Sequence, residues 1–147
     1  MEKVVLANDH GAVDLAAAIR KHLESRGFEV CHLGVFTEES VDYPDMAQKA
    51  VEEFRRGGYA FGVLCCGTGI GISVAANKMK GIRCALPQNI FAARMCREHN
   101  DANFIAFGGR IDYPEPPLAM LDAYIDASFQ GGRHARRVEK MMALEGR

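Results

Sequence analysis

The chain has no apolar stretch long enough to cross a bilayer, which takes about 20 predominantly apolar residues, so no helical membrane span is expected. A large excess of charge of one sign is also missing. The 147 residues carry a formal net charge of -1, and no broad nucleic-acid surface is expected from that balance. There is no CxxC pair, which removes the usual signature of a zinc site or a redox motif. The five cysteines (Cys31, Cys65, Cys66, Cys84 and Cys96) are odd in number. They fall in predicted strands and a helix, so a disulfide framework is not expected and a reduced, cytoplasmic compartment is. Repeats, low-complexity segments and linkers are absent. Met1-Glu2-Lys3-Val4-Val5-Leu6 leads straight into a strand and is followed by charge, unlike a secretory leader.

What is present suits a single domain spanning 1–147. Hydrophobic residues make up 48% and charged residues 25%, ordinary values for a globular protein with one core. Apolar runs alternate with helix-period segments. Strands are predicted at Lys3–Ala7, Phe28–Leu33, Ala60–Cys65, Ile82–Leu86 and Asn103–Phe107. Helices are predicted from Gly11 to Arg26, from Pro44 until Gly57-Gly58, over a short run Ser73–Met79, and over Gln88–Glu98, Pro114–Phe129 and Arg133–Leu144. Nearly all-apolar strands alternating with helices predict a parallel sheet covered on both faces. With right-handed crossovers this becomes an α/β, doubly wound, Rossmann-like three-layer sandwich with a five-stranded parallel sheet. Ligands then sit beyond the carboxyl ends of the strands.

Those ends carry the chemistry. The third strand runs into Cys65-Cys66-Gly67-Thr68-Gly69-Ile70-Gly71 and then a helix. A strand that ends in glycines and opens a helix points free backbone N–H groups at one spot, where phosphate or developing negative charge is held. A thiol at the positive end of a helix can serve as base or nucleophile. Cys65 completes the apolar strand and reads as a core residue, whereas Cys66 precedes the turn. The glycine pattern follows the third strand rather than the first, and no acidic ribose-binding residue is evident downstream, which disfavours a nucleotide cofactor. Asp9 and His10 end the first strand, and Asp9 is placed to cap the next helix. His99 stands at the end of the helix before the fifth strand, as a helix cap or a proton shuttle. Gly108-Gly109-Arg110 suggests close backbone packing and an anion contact. Arg133 and Arg137, four residues apart, share a helical face and can grip one phosphate, although a solvated basic helix has the same pattern.

Taken together, Asn8-Asp9-His10-Gly11, Asp42-Tyr43-Pro44-Asp45, Cys66-Gly67-Thr68-Gly69-Ile70-Gly71, Ala75-Ala76-Asn77-Lys78, Gly81-Ile82-Arg83, Glu98-His99-Asn100-Asp101, Asn103 and Gly131-Gly132-Arg133-His134-Ala135-Arg136-Arg137-Val138 resemble the type B ribose-5-phosphate isomerases. These belong to a wider group that includes the galactose-6-phosphate isomerase subunits. The resemblance covers essentially the whole chain. It implies that Cys66 is the base moving a proton between C1 and C2 of the opened sugar. Some relatives use a glutamate six positions further on instead, where this chain has Ile72. It implies that the amides from Gly67 through Gly69 to Gly71 hold the enediolate oxygen, and that Thr68 and His99 help open the furanose ring. Asp9, Tyr43 and Asn100 would contact sugar hydroxyls. His10, Arg110, Arg133 and Arg137 would bind the phosphate. It implies a homodimer or dimer of dimers with shared sites, the helix at about 133–144 packing on a partner subunit.

The reaction expected is interconversion of ribose 5-phosphate and ribulose 5-phosphate, with no redox cofactor and no metal. An isomerase of a six-carbon sugar phosphate, such as allose 6-phosphate or galactose 6-phosphate, keeps the chemistry and changes the pocket. The segment Leu86-Pro87-Gln88-Asn89 departs from the small or acidic residues of the family pattern. A non-catalytic sugar-phosphate sensor is the third reading, and Cys66, Thr68 and His99 argue against it.

Overall fold

The computed structural model describes residues 1–146. Its centre is a five-stranded, all-parallel sheet in the order β2-β1-β3-β5-β4, with β1 at Lys3–Asn8, β2 at Glu29–His32, β3 at Tyr59–Cys66, β4 at Cys84–Ala85 and β5 at Phe104–Gly108. The helices are α1 (Val13–Ser25), α2 (Tyr43–Arg55), α3 (Ile70–Asn77), α4 (Ile90–Glu98), α5 (Pro117–Asp126) and α6 (Arg133–Ala143). A 3₁₀ turn, His10–Ala12, precedes α1. The predicted fold class is the observed one. No helix among the described residues is long and apolar enough to cross a membrane.

The period-two geometry of the strands splits the core in two. Val4, Leu6, Val63, Cys65, Ile105 and Phe107 face the layer of α1, α4 and α5, where they meet Ile19, Leu23 and Tyr124. Val5, Ala7, Leu64, Cys66, Phe104 and Ala106 face α2 and α3, where they meet Met46, Ala50, Val51 and Ile72. Gly62 is required between these strands: a methyl group there would lie 2.2 Å from the Phe104 ring.

Two elements differ from expectation. The fourth strand shrinks to Cys84–Ala85, because asparagine side chains take its first amides: Arg83 N–H donates to Asn103 Oδ1 at 2.8 Å and Cys84 N–H to Asn77 Oδ1 at 2.7 Å. The helix expected from Ser73 begins at Ile70, directly on the glycine loop, because Gly69 turns the backbone at φ 78°.

From β1 the chain passes to β2 at one side and then crosses to β3 at the other. The carboxyl ends of β1 and β3 therefore flank the point where the winding reverses, which is where open α/β sheets form their crevice.

Candidate functional site

Cys66 is the last residue of β3 and is 4% exposed. Its sulfur accepts the Gly69 amide proton at 3.2 Å. Thr68 Oγ1 accepts from the Ile70 amide at 3.2 Å. The turn thus brings the amide that precedes α3 to the sulfur, and the amides of Gly71 and Ile72 in its first turn have no acceptor within the helix. Glycine is needed here for space as well as conformation. A methyl on Gly69 would lie 2.7 Å from Leu86 Cδ1 and 2.8 Å from the Phe107 carbonyl carbon. A methyl on Gly71 would lie 2.7 Å from the Tyr43 ring, so Tyr43, at the start of α2, covers the head of α3.

The exit of β5 is sewn to this loop. Gly109 N–H donates to Cys66 O and Arg110 N–H to Gly67 O, both at 2.9 Å. Gly108 N–H donates to Tyr113 Oη at 2.8 Å. Arg110 folds back so that its Nη1 would be 3.4 Å from a methyl on Gly67. The expected close packing at Gly108-Gly109 is present: a methyl on Gly109 would sit 2.5 Å from Gly11 O.

The exit of β1 completes this edge. Asp9 is buried, its amide donates to Cys65 O at 3.1 Å, and its Oδ1 accepts from Gly11 N at 2.8 Å. It caps the 3₁₀ turn, as expected, with its second carboxylate oxygen left over. His10 Nδ1 accepts from the Val41 amide at 3.2 Å, which places the proton of the neutral ring on Nε2. His10, Gly109 and Arg110 line a cleft of about 340 Å³, which Glu38 shares.

His99, Asn100, Arg133 and Arg137 lie elsewhere in the chain. His99 caps the C-terminus of α4, and Asn100 follows it, immediately ahead of β5. That is the amino edge of the sheet, whereas Cys66 pairs with Gly108 at the carboxyl end of β5. The five residues of β5 separate the two edges by about 13 Å. Arg133 and Arg137 are exposed on α6, which is tied to the end of α4 by Gln130 N–H donating to Glu98 O at 3.0 Å. A larger cavity, about 740 Å³, lies between β4 and the end of α6 and reaches Asn100, but not Cys66. The residues expected at the site therefore fall into two groups at opposite edges: Asp9, His10, Tyr43, Cys66, Gly67, Thr68, Gly69, Gly71 and Arg110 at one, and His99, Asn100, Arg133 and Arg137 at the other.

Two features escaped the sequence reading. Asn8 is fully buried behind Asp9; its Nδ2 donates to Val35 O at 2.9 Å and to Asp9 O at 3.1 Å. Its Oδ1 must then accept from His32 Nε2, at 2.7 Å. Burial, and secondarily the Arg20 charge, lowers the His32 pKa, and its buried Nδ1 has no partner, as suits a neutral ring. The second feature is His134, whose ring stacks on that of His99. Neither pairing has a local signal, since the partners lie 24 and 35 positions apart in the sequence.

A family model described as Ribose/Galactose Isomerase matches residues 4–141. The chain is 40% identical over 147 residues to ribose-5-phosphate isomerase B of Escherichia coli K12, covering 100% of this chain and 99% of that protein. Among solved structures, ribose-5-phosphate isomerase B of Clostridium thermocellum superposes with a TM-score of 0.93 at 46% identity, over 98% of this chain and 97% of that one. The type B ribose 5-phosphate isomerase of Trypanosoma cruzi superposes with a TM-score of 0.92 at 38% identity, over 99% and 97%.

Proposed function

The chain belongs to the ribose/galactose isomerase family, and we propose that it interconverts D-ribose 5-phosphate and D-ribulose 5-phosphate through an enediolate with Cys66 as the base. The observation that carries this reading is the sulfur of Cys66 held by the Gly69 amide at 3.2 Å at the head of a helix, with Arg110 folded over the adjoining Gly67.

Ribose 5-phosphate enters as a furanose. Thr68 and His99 assist the transfer of the anomeric hydroxyl proton to the ring oxygen O4, so that the C1–O4 bond breaks and the C1 aldehyde forms. The Cys66 thiolate then takes the C2 proton, and the electron pair of that C–H bond becomes the C1–C2 double bond while charge moves to O1. The amides of the Gly67–Gly71 turn face that oxygen; one such donor is typically worth about 3–4 kcal/mol to an oxyanion. The O2 proton passes to O1, the C2 carbonyl forms, and the Cys66 thiol returns its proton to C1. The thiolate is regenerated, and no electron leaves the sugar. Asp9, Tyr43 and Asn100 hold the hydroxyls. His10, Arg110, Arg133 and Arg137 hold the phosphate, and that remote grip supports orientation at the reacting carbons.

This assignment needs both groups, each a half-site, so the active unit is a symmetric pair in which α6 and the end of α4 of one copy reach the glycine loop of the other. Two observations support the pairing. α6 buries only His134 against its own chain, and Ile70 and Val74 on α3 are 54% and 51% exposed next to the glycine loop.

The direct assay is ketose formation from ribose 5-phosphate by the purified protein, compared with Cys66→Ala. A folded Cys66→Ala variant with undiminished turnover removes the assigned base; absence of turnover in the unaltered protein removes the substrate.

A further inference from the structure

We propose that His134 is the positioning residue for His99: its imidazole is the platform that sets the plane of the His99 ring and locks that ring to the helix carrying Arg133 and Arg137. This role rests on the reading of His99 as a ring-opening group.

The two rings lie face to face, with centroids 4.1 Å apart and planes 9° from parallel. His134 is the one buried residue of α6, at 7% exposure, while Arg133 and Arg137 on either side of it are exposed. The helix is launched by Gly131 and Gly132, both with positive φ, at 65° and 58°. It is held at the end of α4 by the Gln130–Glu98 backbone bond. The stack is therefore the side-chain contact through which α6 meets the His99 imidazole.

His99 has little else to orient it. It is the capping residue of α4, its backbone N–H donates to Met95 O, and among the described residues its ring nitrogens have no hydrogen-bond partner. The outer torsion of histidine is broad, so a free ring would sample many planes. A parallel neighbour confines it to one. In this geometry no ring N–H points at the other ring, so the pair passes no proton between its members. Burial, followed by the neighbouring His99, Arg133 and Arg137, lowers the proton affinity of His134. A neutral, flat ring is what a platform requires.

Ribulose 5-phosphate separates ring opening from proton transfer. Its carbonyl is at C2 and its O5 is esterified, so it cannot close a furanose ring. Exchange of its C1 hydrogen with heavy water therefore needs the base but not ring opening. The test follows, by NMR, that exchange and the consumption of ribose 5-phosphate in the unaltered protein, His134→Ala and His134→Phe. His134→Ala is expected to lower kcat for ribose 5-phosphate by about 10–100-fold, with KM and C1 exchange within about threefold. His134→Phe keeps a flat ring without a titratable nitrogen, and is expected to recover the rate to within about threefold. Exchange and consumption falling together in His134→Ala overturns the positioning role and leaves the functional reading standing. So does a folded His134→Phe as slow as His134→Ala. No exchange in the unaltered protein overturns the functional reading, and the role of His134 with it.

Discussion

Cys65 and Cys66 are chain neighbours that face opposite layers of the sandwich. Cys65 is fully buried among Val63, Ile105 and Phe107, and burial raises its pKa far above the ordinary thiol range. Cys66, one residue on, turns to the α2/α3 side, where the Gly69 amide meets its sulfur. The strand pleat thus separates a core thiol from the thiol proposed as the base.

That separation predicts opposite phenotypes. Cys65→Ala is expected to cost about 1–2 kcal/mol of stability and to keep kcat per folded molecule. Cys66→Ala is expected to fold normally and to lose about 10²–10⁴-fold in kcat, the usual weight of a positioned base. Urea midpoints and turnover, measured on both variants, check the pair. A Cys65 variant that folds but does not turn over contradicts the division.

Gly69 and Gly57 both have positive φ, 78° and 90°, but only Gly69 is crowded. A methyl at Gly57 meets nothing within 4 Å, so Gly57→Ala carries backbone strain alone, about 1–2 kcal/mol. Gly69→Ala adds a collision with the backbone of Phe107 that no rotamer change relieves. It is expected to destabilise by more than Gly57→Ala and to impair kcat by moving the amide that faces Cys66. Denaturant titration of the two variants, with turnover, checks the order. Equal stabilities would refute it.

The proposed half-sites, at opposite edges of one sheet, predict complementation. Cys66→Ala and the double variant Arg133→Ala/Arg137→Ala are each expected to be inactive alone. Coexpressed, half of the pairs are mixed and each mixed pair has one intact site, so about a quarter of full activity returns. A mixture no more active than its parents would show that the arginines serve the site of their own chain or none.

Asp122 of α5 accepts from His22 of α1 at 2.7 Å and from Arg26 at 2.8 Å. Burial by itself would raise its carboxyl pKa, but the two hydrogen bonds outweigh that and hold it below the ordinary value. A carboxyl depressed in the folded state stabilises above its unfolded pKa, about 3.9, and loses that contribution as pH falls through the folded value. The side chain is 37% exposed, so the effect is modest. Stability of Asp122→Asn, measured from pH 7 to 3, is expected to trail the unaltered protein by a constant gap down to about pH 5 that closes below about pH 4. A gap that widens in acid contradicts the assignment.

Much of this protein is written locally. Nearly all-apolar runs such as Phe61–Leu64, with helix-period segments between them, specify strands buried on both faces, because backbone pairing and burial act over a few residues. Gly69 and Gly71 mark the turn for the same reason: a backbone that must take positive φ, or pass within 3 Å of a neighbour, admits no side chain. What the tertiary structure decided depends on where distant segments land. β5 inserts between β3 and β4, and that insertion brings Arg110 over Gly67 while leaving His99 at the far edge. The register of β1 against β2 brings His32 to Asn8, and the docking of α6 lays His134 on His99. Each of these contacts joins residues more than twenty positions apart, whose meeting is set by packing the whole sheet rather than by the chemistry of either segment.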